Sequence, residues 1–321
     1  MLNVMTRIDT FDDLTDLAAQ SEALSLGDGS PRKDQEFYLF RGTKECYQLL
    51  SSIQVHLSVT KKVSNWKETI QNYERKLVNR FLKEIESYRE LNLQYHWYCP
   101  PYPRTDTFWY LSVMQHFGCP TRLCDFTADF WTAVFFATIN ATQGTDLCLY
   151  RLKCKNNDKS GNKLPKDSTG EPWSNGENYD VNELLGYVIG YEGFTEPKSD
   201  VIKDRLQRFK EKTEKSQMYG WDTPYFKNAR IQKQRGFFVY GVDVTTPLEE
   251  SIVGHSGADF QKYQITANIL PDIKSYLKER GLIEWKVYLD LDRVFKQWKS
   301  EELPTNRCTE PPRASVSDAP G

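Results

Sequence analysis

Arginine offers a rigid fork of donors to phosphate or carboxylate. Three segments of this chain set arginine beside other polar groups where packing alone does not require them. Arg41 stands at the end of the apolar run Phe37 to Phe40, where it can reach solvent along its stem or hold an anion. A second segment, Gln115-His116-Phe117-Gly118-Cys119-Pro120-Thr121-Arg122-Leu123-Cys124-Asp125-Phe126-Thr127, lies between two apolar helical stretches. Arg122 and Asp125 are near enough in sequence to pair there, and Asp125 or Thr127 can cap the following helix. The same segment can instead offer helix N-terminal N–H groups to an anion or phosphate. His116 is a candidate general base or a residue that packs the Phe117 turn. The third segment runs from Asn228 to Phe238, with Arg230, Gln234 and Gly236 in order. Gln234 precedes an apolar strand, and Gly236 permits close approach of a backbone or a ligand. A loop amide that satisfies buried backbone groups is the plainer reading of Gln234.

The elements that must position these groups follow from periodicity. Thr10 with Asp13 marks a helix start, and Phe11, Leu14, Leu17 and Ala18 form its apolar stripe. Phe37 to Phe40 reads as a strand closed by Arg41-Gly42. Ile70, Tyr73, Leu77, Phe81, Ile85, Tyr88 and Leu91 recur at helical spacing, which predicts a packing helix between Trp66 and Leu93. Further helices are expected over Thr107 to Phe117 and from Thr127 or Asp129 through Phe135. Strands are expected at Leu147 to Leu152, Tyr187 to Tyr191, Gly236 to Val244 and Gln264 to Ile269. Asn156 to Asn178 reads as an exposed polar insertion and Asp200 to Lys215 as a charged amphipathic helix. Pro271 suits the first turn of a helix that ends near Gly281, with a last helix over Leu291 to Trp298.

Composition narrows the function classes. The 321 residues include 18 Tyr, 17 Phe and 8 Trp, enough for a substantial core, and the net charge is −2. Near-neutral charge gives no chain-wide argument for nucleic acid or an anionic membrane. The seven cysteines show no CxxC spacing and no His at ligand spacing, so no metal site or disulfide framework is expected. With no signal-peptide core and no apolar run of spanning length, the expected setting is the cytoplasm, without a membrane. P-loop, GxGxxG, GxSxG and HExxH patterns are lacking.

The three segments in order, Phe40-Arg41-Gly42, then Gln115 to Thr127, then Arg230 to Phe238, resemble the FRG-domain family, named for Phe-Arg-Gly. Cys124 and Phe126 stand where the family commonly has Leu and Trp. The resemblance implies a domain over residues 1–300, with its signature at about 35–245, a C-terminal strand and helices over 246–300, and a disordered tail over 301–321. The expected fold is α+β, a single mixed domain with a central, mostly antiparallel β core flanked by helices.

The motif order is also similar to that of ADP-ribosyltransferase-like folds. That likeness implies a nucleotide ligand, with NAD as substrate rather than a tightly bound cofactor, and a protein or nucleic-acid acceptor. It implies NAD cleavage or ADP-ribosyl transfer by an effector in microbial defence or toxicity. Arg41, Asp125 and Gln234 would be catalytic, and Gln115, His116, Thr121, Arg122, Thr127 and Arg230 would bind ligand. Two alternatives stay open: a non-catalytic module that recognises a nucleotide or protein, and a buried structural network of the same residues.

Overall fold

In the computed structural model, residues 5–26, 32, 35–85, 107–139, 141–155, 185–186, 188–190, 219–222, 229–254 and 258–288 are described. The chain opens with strand Thr6–Ile8 (β1) and helix Phe11–Glu22 (α1). Thr10 caps α1, its hydroxyl accepting from the Asp13 N–H at 3.1 Å, as the Thr-x-x-Asp spacing predicts. Strand Glu36–Thr43 (β2) and the helices Ser52–Val55 (α2), Trp66–Ile85 (α3) and Thr107–His116 (α4) follow. Next come strand Leu123–Thr127 (β3), helix Phe130–Thr138 (α5), and strands Leu147–Lys155 (β4) and Tyr219–Asp222 (β5). Helix Ala229–Lys233 (α6), strand Gly236–Gly241 (β6), helix Leu248–Val253 (α7) and strand Phe260–Ile265 (β7) lead to helices Leu270–Glu279 (α8) and Glu284–Tyr288 (α9).

The seven strands form one sheet in the order β1-β7-β4-β2-β3-β6-β5. Every pairing is antiparallel except that of β1 with β7. This is the mixed, mostly antiparallel β core with flanking helices that the sequence predicts.

Alternation along β2 divides the core between the two sides of the sheet. Phe37 and Leu39 join Cys124, Phe126, Tyr150 and Phe237 in one buried cluster. Phe40 turns the other way and packs with Phe130, Ala133, Val134 and Ala137 of α5. Full burial of each large apolar side chain contributes about 1.5–3 kcal/mol. Gly42 sets the distance between these layers. A Cβ there would stand 1.8 Å from the Ala133 carbonyl oxygen, so glycine is what lets α5 lie directly on β2.

Several boundaries differ from expectation. Leu123–Thr127, expected as part of the polar connection between two helices, is a central strand, while of the two expected starts of α5 it is Asp129 that caps the helix, accepting from the Thr132 N–H at 2.6 Å. The run Tyr187 to Tyr191, expected as a strand, is helical at Val188 and Ile189, where Gly190 N–H donates to Gly186 O at 2.9 Å. A short apolar run carries no period that separates strand from helix. β7 begins and ends earlier than Gln264 to Ile269, whose last residues form the 3-10 turn Ala267–Ile269. The C-terminal part of the helix expected over 66–93 and the segments at 156–178, 200–215, 291–298 and 301–321 lie outside the described residues. Among the described residues no helix is long and apolar enough to cross a membrane.

Candidate functional site

β2 pairs with β4 along its whole length, and β3 pairs with β6 along all of its own. Between β2 and β3 the register holds at one pair, Phe40 opposite Thr127. The sheet therefore parts beyond that pair, although both strands lie near its centre. A cleft of about 260 Å³ lies there, lined by Arg41, Asp125, Thr127, Arg230 and Gln234. Phe40, Phe136 and Tyr288 add aromatic walls.

Arg41 is half-buried and is the first residue of β2 past its one pair with β3. Its Nη1 donates to the Asp125 carbonyl at 2.6 Å, while its buried Nε has no hydrogen-bond partner. Burial opposes its charge most strongly, but Cys124, Asp125 and Tyr150 more than offset this and hold its pKa above the ordinary value. Cys124 itself is pushed up to about 11 by burial, against the pull of Arg41, and stays a neutral thiol.

The Asp125 side chain is exposed, and its Oδ2 accepts from Gln115 Nε2 at 3.0 Å. Gln115 Oε1 in turn accepts from Ser52 Oγ at 2.8 Å and Thr121 Oγ1 at 2.9 Å. Two hydroxyl donors on the oxygen fix the amide so that its nitrogen faces the carboxylate. His116 lies close enough to Arg230 and Asp125 to feel both charges. Burial and the Arg230 charge lower its pKa, and Asp125 works the other way.

On the opposite wall, the Arg230 guanidinium stands 5.1 Å over the Tyr288 ring. Gln234 Nε2 donates to Val287 O at 3.1 Å, which anchors α9 beside the cleft. The main-chain oxygen of Gln234 accepts from Thr127 Oγ1 at 2.6 Å, and Arg235 O accepts from Ala128 N at 3.0 Å. These bonds clamp the end of β3 to the turn between α6 and β6. Arg235 closes that turn in the left-handed region at φ 46°.

Of the residues expected at a site, Arg41, Asp125, Thr127, Arg230 and Gln234 come together in the cleft. Gln115 and His116 border it through Asp125, and Thr121 is buried behind Gln115. Arg122 does not join them. The expected Arg122–Asp125 pair is absent, because an odd spacing along extended backbone sends side chains to opposite sides. Arg122 instead forms a bidentate pair with Glu74, at 2.9 Å from Nε and 2.6 Å from Nη2, and Nη1 donates to Val242 O at 2.6 Å. Both side chains are 2% exposed, so Arg122 ties α3 to the chain after β6 and offers nothing to a ligand.

Glu74, Ser52, Phe136 and Tyr288 escape the sequence reading. Glu74 carries a usable signal, since it follows Ile70 by four residues and so falls on the apolar stripe of α3. The others gain their meaning only from tertiary neighbours.

Chemically, the cleft combines two guanidinium groups, aromatic faces, a hydroxyl and one carboxylate. This set fits a flat, hydroxylated, anionic ligand better than a metal. Among the described residues no cluster of His, Cys, Asp or Glu could hold a metal ion. In comparison with known proteins, residues 36–146 match the family model of the FRG domain. The match takes in Arg41, the whole of Gln115 to Thr127 and α5, and ends before Arg230 and Gln234. No curated protein and no solved structure matches the chain. Over residues 36–146, less than half of its length, the chain is thus similar to the FRG domain.

Proposed function

We propose that the cleft binds a nicotinamide dinucleotide and that the chain is an ADP-ribosyltransferase-like domain. In this reading it breaks the bond between ribose and nicotinamide and passes ADP-ribose to water or to a protein or nucleic-acid acceptor. The observation that carries the reading is the convergence of Arg41 and Arg230 with the Gln115-held carboxylate of Asp125.

Each group has a task in that chemistry. Arg230 and Arg41 attract the pyrophosphate, and a guanidinium suits its oxygens better than an ammonium does. Phe40, Phe136 and Tyr288 offer faces to a planar ring. Loss of nicotinamide leaves positive charge on the ribose, and a carboxylate already fixed in place stabilises it without reorganisation. Asp125 is the one carboxylate among the lining residues, so that role falls to it rather than to Gln234. Gln234 uses Nε2 on Val287 O and retains Oε1 for a ribose hydroxyl.

The use of Arg41 Nη1 and Gln234 Nε2 on main-chain carbonyls favours a second reading, a module that binds the nucleotide without turning it over. Incubation with NAD, with nicotinamide followed by chromatography and binding by calorimetry, separates the two. The enzyme reading expects release by the wild type and, in Asp125→Asn, binding with release lowered at least ~100-fold. Binding without release by the wild type supports the recognition module. A folded chain that does not bind NAD contradicts both.

A further inference from the structure

The segment that leaves β2 brings a second set of reactive groups together, on the sheet face shared by Cys148 and Tyr150. Cys46 Sγ lies 3.7 Å from Leu147 O and 3.9 Å from Tyr263 O, so it sits over the seam between β4 and β7. At that seam Cys148 is paired with Gln264. Cys46 packs against the buried cluster that contains Cys148, and its sulfur rests on the carbonyl of Leu147, the residue that precedes Cys148. Cys46 is half-buried and reachable from solvent, whereas Cys148 is fully buried. Both are free thiols.

Lys262 supplies a cation beside the pair. Its Nζ is 2.6 Å from Tyr47 O and 5.2 Å from the Tyr150 ring centre, next to Cys46 along the chain and next to Cys148 across the face. The neighbouring Cys148 thiol and then the Lys262 charge lower the Cys46 pKa, against burial, Asp146 and Glu249. The Cys46 neighbour and burial raise that of Cys148. Cys46 is therefore the first of the two to give up its proton.

We propose that Cys46 and Cys148 are a redox modification site, at which a peroxide converts the two thiols to a disulfide. The Cys46 thiolate attacks one peroxide oxygen and breaks the O–O bond, which gives Cys46 sulfenic acid and, after protonation, one water. The Cys148 sulfur then attacks Cys46 Sγ, hydroxide leaves, and the Cys148 proton converts it to a second water. Two thiols and one hydrogen peroxide thus yield one disulfide and two waters. With Cys46 Sγ already against the Leu147 carbonyl, side-chain rotation has to bring the sulfurs to the S–S length of about 2.05 Å. The bond would fasten the segment after β2 to β4, at the level where Thr43 faces Cys148. The site is independent of the ligand that the cleft takes.

The test treats the reduced full-length chain with hydrogen peroxide, blocks remaining thiols with N-ethylmaleimide, and reads the digest by mass spectrometry. The expected product is a Cys46–Cys148 cross-linked peptide that dithiothreitol removes. Cys46→Ser should abolish it and leave Cys148 unoxidised. Cys148→Ser should stop Cys46 at a sulfenic acid that dimedone traps. If Cys148→Ser does not fold, the wild type and Cys46→Ser still decide. Both cysteines alkylated after peroxide, or either one joined to a different cysteine, overturns the proposal.

Discussion

Arg41 Nη1 donates to the main-chain carbonyl of Asp125 at 2.6 Å, across the gap where β2 and β3 cease to pair. One side chain thus does the work of the missing ladder bonds while it lines the cleft that their absence creates. Arg41→Ala should remove a charge-assisted hydrogen bond and lower stability by about 1.5–3 kcal/mol. Thermal denaturation should show a melting temperature lower by several degrees, together with weaker ligand binding. An unchanged melting temperature would show that Arg41 does not hold the opening.

Arg122 and Glu74 should behave as a unit. Removing either partner leaves a buried charge, so Arg122→Met or Glu74→Leu alone should cost about 3–5 kcal/mol in urea unfolding. The double variant should recover most of that loss, with a strongly non-additive cycle. Costs that simply add would contradict the bidentate pair.

Gly42 and Gly118 separate two reasons for glycine. Gly42→Ala should push α5 off β2 and cost about 3 kcal/mol or more, since the added carbon meets backbone. Gly118 has φ +79° and open space around it, so Gly118→Ala should cost only about 1–2 kcal/mol of backbone strain. Equal costs in equilibrium unfolding would contradict this distinction.

His116 carries the pH dependence. Its folded pKa lies below the ordinary 6.5, so between the two values the unfolded chain binds more protons. This group's contribution to stability is complete above 6.5 and is lost as pH falls through the folded value. In an NMR titration Arg230→Gln should raise the His116 pKa, and Asp125→Asn should lower it further. Opposite shifts would contradict the placement of these charges around the imidazole.

Much of the layout is legible in residue order. Thr10 announces α1, the short apolar run Phe37 to Phe40 announces β2, and polar groups in three distant segments mark the cleft. β3 hides because Leu-Cys-Asp-Phe-Thr is short and interrupted by a charged residue, between helices rich in the same apolar types. With β3 unseen, alternation cannot be applied to its neighbourhood, and Arg122 is assigned to Asp125 rather than to Glu74. The sheet opening is equally invisible, because it depends on which strands stop pairing and not on any residue that forbids it. Tyr288 enters the site only because Gln234 holds Val287 beside the cleft.

Titration of NAD into the folded wild type and into Arg230→Ala, by calorimetry, tests the central claim most directly. The cleft reading predicts binding by the wild type and an affinity at least ~10-fold weaker in Arg230→Ala, the loss of one charge-assisted contact, with little change in melting temperature. No binding by the folded wild type, or equal affinity in the two chains, would contradict it.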